Sequence, residues 1–318
     1  MSGLLLQKTE IVAIQDETSR VRSFTLRHAK KSELPQFTAG AHVAVETPKG
    51  LLRHYSLCSD PADRRTYRIA VLREDAGQGG SQSMHTSLAV GDFLYVTRPR
   101  NYFALEHARD PLLLLAGGIG ITPLLAMVFE LERHKAAYEL NYCARSRSDA
   151  AFIDELERHC VHGRLRLHFD DGIPGAGLDI AALLRAREGE AAVYACGPKA
   201  FLDTVIEASG HWPAHKVRFE RFTALPAEQR GSGEAFELVV SSTGQTIQVG
   251  AGQTAAAALR EAGHNIRTDC EGGICGTCRV GVLEGTILHR DAVLKSSERH
   301  NTMTVCVSRA QGRLVLAL

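Results

Sequence analysis

At 318 residues, 44% of them hydrophobic and 23% charged, the chain has material for two or three globular domains, and its composition excludes a disordered or fibrous protein. Its 37 Lys and Arg nearly cancel 36 Asp and Glu, so no global field draws it to nucleic acid or to anionic lipid, and any partner is selected locally. The eight cysteines, in a chain this large without an export signal, argue for reduced thiols and against a disulfide framework.

The N-terminus, MSGLLLQKTEIVAIQDE, lacks a basic segment followed by a long apolar run and a small-residue cleavage site, so a cytoplasmic location is expected. From Ile11 to about Val96, short β-type runs (VRSFTLR, HVAVET, TYRIAVLRE, DFLYVTR) alternate with turn clusters, which predicts an antiparallel β-barrel over residues 1–105. Within it, Arg53-His54-Tyr55-Ser56-Leu57 precedes a turn at Ser59-Asp60-Pro61. Arg53 can grip a phosphate, Tyr55 can lie against an aromatic ring system, and Ser56 can hydrogen-bond to it. An ordinary barrel strand with a surface arginine looks the same, so the motif is weak alone. Gly77 to His85 has the makeup of a Gly-rich turn opening a short helix. There Gly79, Gly80, Ser81 and Gln82 would receive a phosphate, a plain loop being the competing reading.

From about Asp110 the rhythm becomes strand, Gly-rich loop and helix (PLLLLAGG, ITPLLAMVFELERH, YELNYCAR, DAAFIDELERHC, RLRLHFDD, AVYACGP, KAFLDTVIEASG). That is the sequence form of a doubly wound parallel sheet, assigned to residues 106–224. Pro111 to Phe129 is uncharged and approaches a membrane span in length, but three glycines and a Thr-Pro pair divide it, so no membrane helix is expected. Ala116 to Pro123 (AGGIGITP) departs from the G-x-G-x-x-G fingerprint yet shares its mechanics. Gly117, Gly118 and Gly120 admit a pyrophosphate close to the backbone, and Pro123 suits the first turn of the receiving helix; a tight packing turn would use the same glycines. Cys196-Gly197-Pro198 ends another strand at the edge where open parallel sheets bind ligands, though a buried core thiol is a common fate for cysteine. Asp170 and Asp171 would accept hydrogen bonds from an adenosine ribose and repel a 2′-phosphate, favouring NADH, while Arg145 and Arg147 pull the other way.

Thr223 to Glu234 (TALPAEQRGSGE) has no apolar period and reads as a linker, placed at 225–234. The remaining residues, 235–318, form a separate unit that opens with two strand-like runs, FELVVSS and TIQVGAG, and a helical run, TAAAALREAG. Cys270, Cys275 and Cys278 are spaced C-x4-C-x2-C, with Cys306 28 positions further on, which is the plant-type [2Fe–2S] pattern. Gly272, Gly273 and Gly276 let a loop wrap a small cluster and aim N–H groups at its sulfides. A structural zinc site also uses four thiolates, but usually as two C-x2-C pairs, and only one is present.

With these residues in the order Arg-x-Tyr-Ser, Gly-Gly-Ser, GGIGITP, CGP and DCEGGICGTC, nearly the whole chain resembles the phthalate dioxygenase reductase family, the class IA reductases of Rieske oxygenases. The resemblance implies a β-barrel flavin domain, a nicotinamide domain and a C-terminal β-grasp ferredoxin domain, with NADH, FMN and a [2Fe–2S] cluster as the electron path. It implies that Ser56 lies near flavin N5, that Ala70 and Val71 offer backbone contacts to the flavin's pyrimidine edge, and that Thr122 approaches from the other side while Phe222 covers the ring. GGIGITP and CGP further resemble the ferredoxin–NADP⁺ reductase superfamily, which implies that Cys196 lies near the reacting nicotinamide carbon. The implied recipient is the Rieske non-haem iron centre of a separate terminal oxygenase.

Two other readings stand beside this one. A non-catalytic redox sensor would explain the cysteines but leave both nucleotide motifs idle, and a reductase for a cytochrome P450 is permitted because nothing in the sequence names the acceptor. From Ala235 onward there are seven acidic and eight basic residues, so the unit lacks an acidic steering surface and its docking should depend little on salt.

Overall fold

Period-two alternation in β1 (Gln7–Asp16) and β2 (Val21–His28) turns Ile11, Phe24 and Leu26 inward, as a half-buried strand requires. The structure, a computed structural model, describes residues 6–106, 111–173, 175–187, 191–213, 216–222, 227–268, 271–274, 276–291, 293–294 and 297–318. It forms two compact units, Met1–Phe219 and Glu220–Leu318.

The first sheet adds β3 (His42–Glu46), β4 (Leu52–Ser56), β5 (Thr66–Leu72) and β6 (Phe93–Val96), in the order β4-β3-β6-β1-β2-β5. Its pairs are antiparallel, and an isolated bridge between Leu57 and Ile69 joins the two end strands into a barrel. Helix α1 (Gly80–Thr86) inserts Met84 into the barrel core beside Val43, Val45 and Val71.

The second sheet comprises β7 (Leu112–Gly117), β8 (Tyr138–Ala144), β9 (Arg164–Phe169), β10 (Ala192–Cys196) and β11 (Val217–Glu220), in the order β11-β10-β7-β8-β9. The β10-β7-β8-β9 pairs are parallel. Leu112, Leu114 and Ala116 join one core with α2 (Ile121–Arg133) and α3 (Ile153–His159). Leu113 and Leu115 join another with α4 (Ile180–Arg185) and α5 (Lys199–Ala208). Strand order reverses between β7 and β10, which makes their carboxyl ends the switch-point crevice of a doubly wound sheet. The uncharged stretch from Pro111 becomes β7, a short 3-10 turn at Gly118–Gly120 and the start of α2. Among the described residues no helix is long and apolar enough to cross a membrane.

The second unit holds α6 (Ala227–Arg230), β12 (Phe236–Val240), β13 (Thr246–Val249), α7 (Ala255–Glu261), β14 (Arg279–Leu288), β15 (Thr302–Thr304) and β16 (Arg309–Ala317). Its sheet runs β13-β12-β16-β14-β15, with parallel β12 and β16 at the centre and antiparallel pairs outside, covered by the small residues of α7. The stretch expected as a linker contains α6, and its end is fastened. The buried Arg309 guanidinium donates to the carbonyls of Gly231 (2.7 Å) and Glu234 (2.6 Å) and stacks on Phe236 at 4.8 Å.

Candidate flavin, nucleotide and iron–sulfur sites

On the barrel, Arg53 lies in β4 and donates to Gln78 Oε1 at 2.6 Å and to the Leu52 carbonyl at 2.9 Å. A Cβ on Gly80 would touch the Arg53 side chain, and one on Gly79 would overlap Lys49 Nζ. Two cations therefore flank the amino end of α1, where Gly79 takes the left-handed turn (φ +81°) and backbone amides complement an anion. Gln82 and Ser83 line a surface cavity with Lys49 and Arg73, and the Ser81 hydroxyl accepts the Glu74 N–H at 3.0 Å. Burial pushes the Tyr55 hydroxyl up to about 12, so its ring is neutral, packed against the barrel core.

Backbone phase distinguishes Ala70 from Val71. The bond from Arg73 N–H to the Arg20 carbonyl and the register Arg22↔Val71 direct the backbone groups of Val71 to β2, by the alternation of an antiparallel ladder. Those of Ala70 point the other way, toward the β4 side of the barrel. The Val71 carbonyl also accepts from His85 Nε2 at 2.8 Å, which fixes the proton on that nitrogen. Burial holds the His85 pKa below its ordinary value of 6.5. A depressed base is stabilising while neutral, and that contribution is lost as pH falls below the unfolded value. Melting temperature should therefore fall as pH drops through the ordinary value of 6.5, and His85→Gln, which keeps a donor without the charge, should flatten the slope. Parallel thermal melts of both proteins check this; equal slopes would refute it.

In the crevice, a Cβ on Gly120 would overlap the Cys196 carbonyl, and Gly197 lies against Gly117 Cα and Phe201. These three glycines close-pack the β7 and β10 loops. Gly118 differs, with φ +52° and nothing within 4 Å of its position for a Cβ, so the loop is open on that side. Pro198 lies beside Gly117. The Thr122 hydroxyl donates to the Ile119 carbonyl at 3.0 Å, and Cys196 is fully buried. At the end of β9, Asp170 uses Oδ1 to accept the Gly172 N–H at 2.8 Å, and Asp171 adopts φ +48°. Arg147 is engaged by Glu157 at 2.9 Å. The spacing gave no sign of Cys143, which lies one residue before the end of β8, paired with Gly117, and is pushed up to about 12 by burial, with the Asp170 charge adding to it.

Barrel and parallel sheet share one buried cluster, in which Cys58 and Ala70 join Ile121, Leu124 and Cys196. Arg68 of β5 clamps the same junction: it donates to the Cys58 carbonyl at 3.0 Å and to Glu155 of α3 at 2.8 Å, with its guanidinium 5.0 Å from the Phe152 ring.

In the second unit, the Cys278 and Cys306 sulfurs lie 3.1 Å apart, both buried. The Val305 N–H donates to the Cys278 carbonyl at 3.1 Å, which ties the two segments together. Gly273 (φ +75°) packs against Val307 and Asp291, and Glu271 and Gly276 are also left-handed. Cys270 and Cys275 lie outside the described residues. Phe222, two residues past β11, carries an exposed ring.

Comparison with known proteins agrees with this layout. The 2Fe-2S iron-sulfur cluster binding domain family matches residues 238–311. The tert-butanol monooxygenase / tert-amyl alcohol desaturase reductase subunit of Aquincola tertiaricarbonis is 46% identical over 297 residues, covering 90% of this chain and 88% of the relative. The solved phthalate dioxygenase reductase, described as a modular structure for electron transfer from pyridine nucleotides to [2Fe–2S], is 35% identical with a TM-score of 0.70, covering 99% of this chain and 98% of that one. An intact type IV self-sufficient cytochrome P450 monooxygenase is 38% identical with a TM-score of 0.88 over 99% of this chain, which spans 41% of that longer one.

Proposed function

Because the chain belongs to the phthalate dioxygenase reductase family, we propose that it delivers electrons from NADH to the Rieske centre of a separate terminal oxygenase, in the cytoplasm. It is an NADH-dependent oxidoreductase with FMN and a [2Fe–2S] cluster, the reductase component of an oxygenase system. When bound, FMN takes a hydride from NADH and yields its electrons singly, as a [2Fe–2S] cluster requires.

The residues fit these groups. Arg53 and the amino end of α1, with Lys49, would hold the phosphate. Tyr55 would offer its ring and Ala70 its backbone to the flavin. Gly118, Gly197 and Pro198 would border the nicotinamide nucleotide, with Asp170 on its ribose. Cys270, Cys275, Cys278 and Cys306 would ligate iron. The observation that carries the reading is the buried cluster joining Ala70 and Cys58 to Ile121 and Cys196, because hydride transfer needs the two ring systems in contact, shielded from water.

Anaerobic titration with NADH tests it. Bleaching of one flavin, identified as FMN after release, together with a rhombic low-temperature EPR signal, is expected; a colourless protein that takes up zinc but not iron and sulfide would overturn it. The match to a self-sufficient P450 favours a P450 as the second acceptor class. Reconstitution decides between them: turnover with a Rieske oxygenase supports the first reading, and turnover with a P450 alone supports the second.

A further inference from the structure

A hydride carries two electrons and one proton. The electrons leave singly toward an acceptor that takes no proton, so the proton needs its own exit from the barrel. On the reading above, with Ser56 at the reacting edge of the flavin, that exit begins beside a side chain only 5% exposed.

We propose that His42 and His54 form the exit. The Leu57 N–H binds the Ala41 carbonyl at 2.8 Å, and the register pairs His42 with Ser56. The ladder alternates, so His42 and Ser56 form a non-hydrogen-bonded pair, the arrangement that brings facing side chains closest. His54, two residues before Ser56 in β4, shares its face. The His42 and His54 rings lie 5.3 Å apart, centroid to centroid, and Tyr102 flanks His42 at 5.7 Å. Exposure is graded along this line: Ser56 and His42 are buried, while His54 is partly exposed. Arg100 is a charged neighbour, and its backbone N–H and carbonyl bind those of His42 at 3.0 and 2.9 Å.

An imidazole accepts at one nitrogen and donates from the other, so it passes a proton and is left in its opposite tautomer, which ring rotation or exchange with water resets before the next turnover. As Ser56 Oγ accepts the proton left at the flavin, its own O–H proton goes to a His42 nitrogen. His42 releases a proton from its other nitrogen to His54 and water. Ser56 ends as it began, and each NADH sends two electrons to the cluster and one proton to solvent.

The test is anaerobic stopped flow on the flavin- and cluster-loaded protein, reading flavin bleaching by NADH and then, in unbuffered solution with a pH indicator, proton release during reoxidation by a one-electron acceptor. In His42→Gln and His42→Ala, proton release and reoxidation should slow by about 100-fold while bleaching keeps its rate, and added imidazole should restore the Ala variant. Proton release at the wild-type rate, or a slowing that imidazole does not relieve, overturns the relay. Ser56→Ala tests the underlying placement: if it leaves the flavin spectrum and both half-reactions unchanged, the flavin does not lie at Ser56, and the reading fails rather than the relay alone.

Discussion

Replacing Cys306 or Cys278 by serine should remove the visible absorption and EPR signal of the cluster and abolish reduction of one-electron protein acceptors, while NADH still bleaches the flavin. The sulfurs of these two residues converge at 3.1 Å, and a serine hydroxyl, which gives up its proton far less readily than a thiol, is a poor replacement for the thiolates that hold such clusters. Losing a residue that only hydrogen-bonds to a metal's ligand costs about 10–100-fold in affinity, so losing a ligand should exceed that range. Flavin reduction should survive because the barrel and the parallel sheet share their own core within Met1–Phe219, whereas the two cysteines lie in Glu220–Leu318. Cys160→Ser, a change in α3's C-cap, is the matched control and should leave the EPR signal intact. Spin quantitation per protein, with NADH bleaching measured on the same samples, checks each part. A full cluster signal in Cys306→Ser would remove that residue from the ligand set.

What the sequence revealed depended on whether a feature is written locally. The barrel strands carry period-two alternation, and the parallel sheet carries strand, glycine loop and helix in turn, so both were legible. Strands β14 to β16 were not, because Gly281 and Gly285 interrupt β14 and its register against β16 shifts twice. Helix α4, at six residues, is too short to show a period. The cysteine spacing named a cluster pattern because loop ligation is local. Lys49, Arg68 and His42 were invisible, since their partners lie 30, 87 and 14 positions away, and only register or docking brings them together. The glycine motif was legible as a motif but ambiguous in purpose, and the structure divides it: Gly117 and Gly120 pack, and Gly118 opens.

That division makes Gly120→Ala the most damaging small change in the crevice. Gly120 sits at φ −61° and ψ −7°, which alanine adopts readily, so no backbone strain is involved. The obstacle is steric. The new methyl group would overlap the Cys196 carbonyl and lie 2.6 Å from Gly197 N, and backbone atoms cannot swing aside as a side chain can. The β7 and β10 loops must separate at the point where the nicotinamide is expected to lie. Overpacking of this kind costs roughly 3 kcal/mol, and a displacement near 1 Å at a reacting centre costs about 100-fold in rate. Gly118→Ala reverses the balance: space is open around it, and the left-handed φ costs about 1–2 kcal/mol, so its effect should fall on NADH affinity. Measured side by side, Gly120→Ala should lower both melting temperature and the rate of flavin bleaching at saturating NADH, whereas Gly118→Ala should chiefly raise the NADH concentration needed. If Gly120→Ala melts and bleaches like the parent protein, the close approach of the two loops is not a feature of the working enzyme.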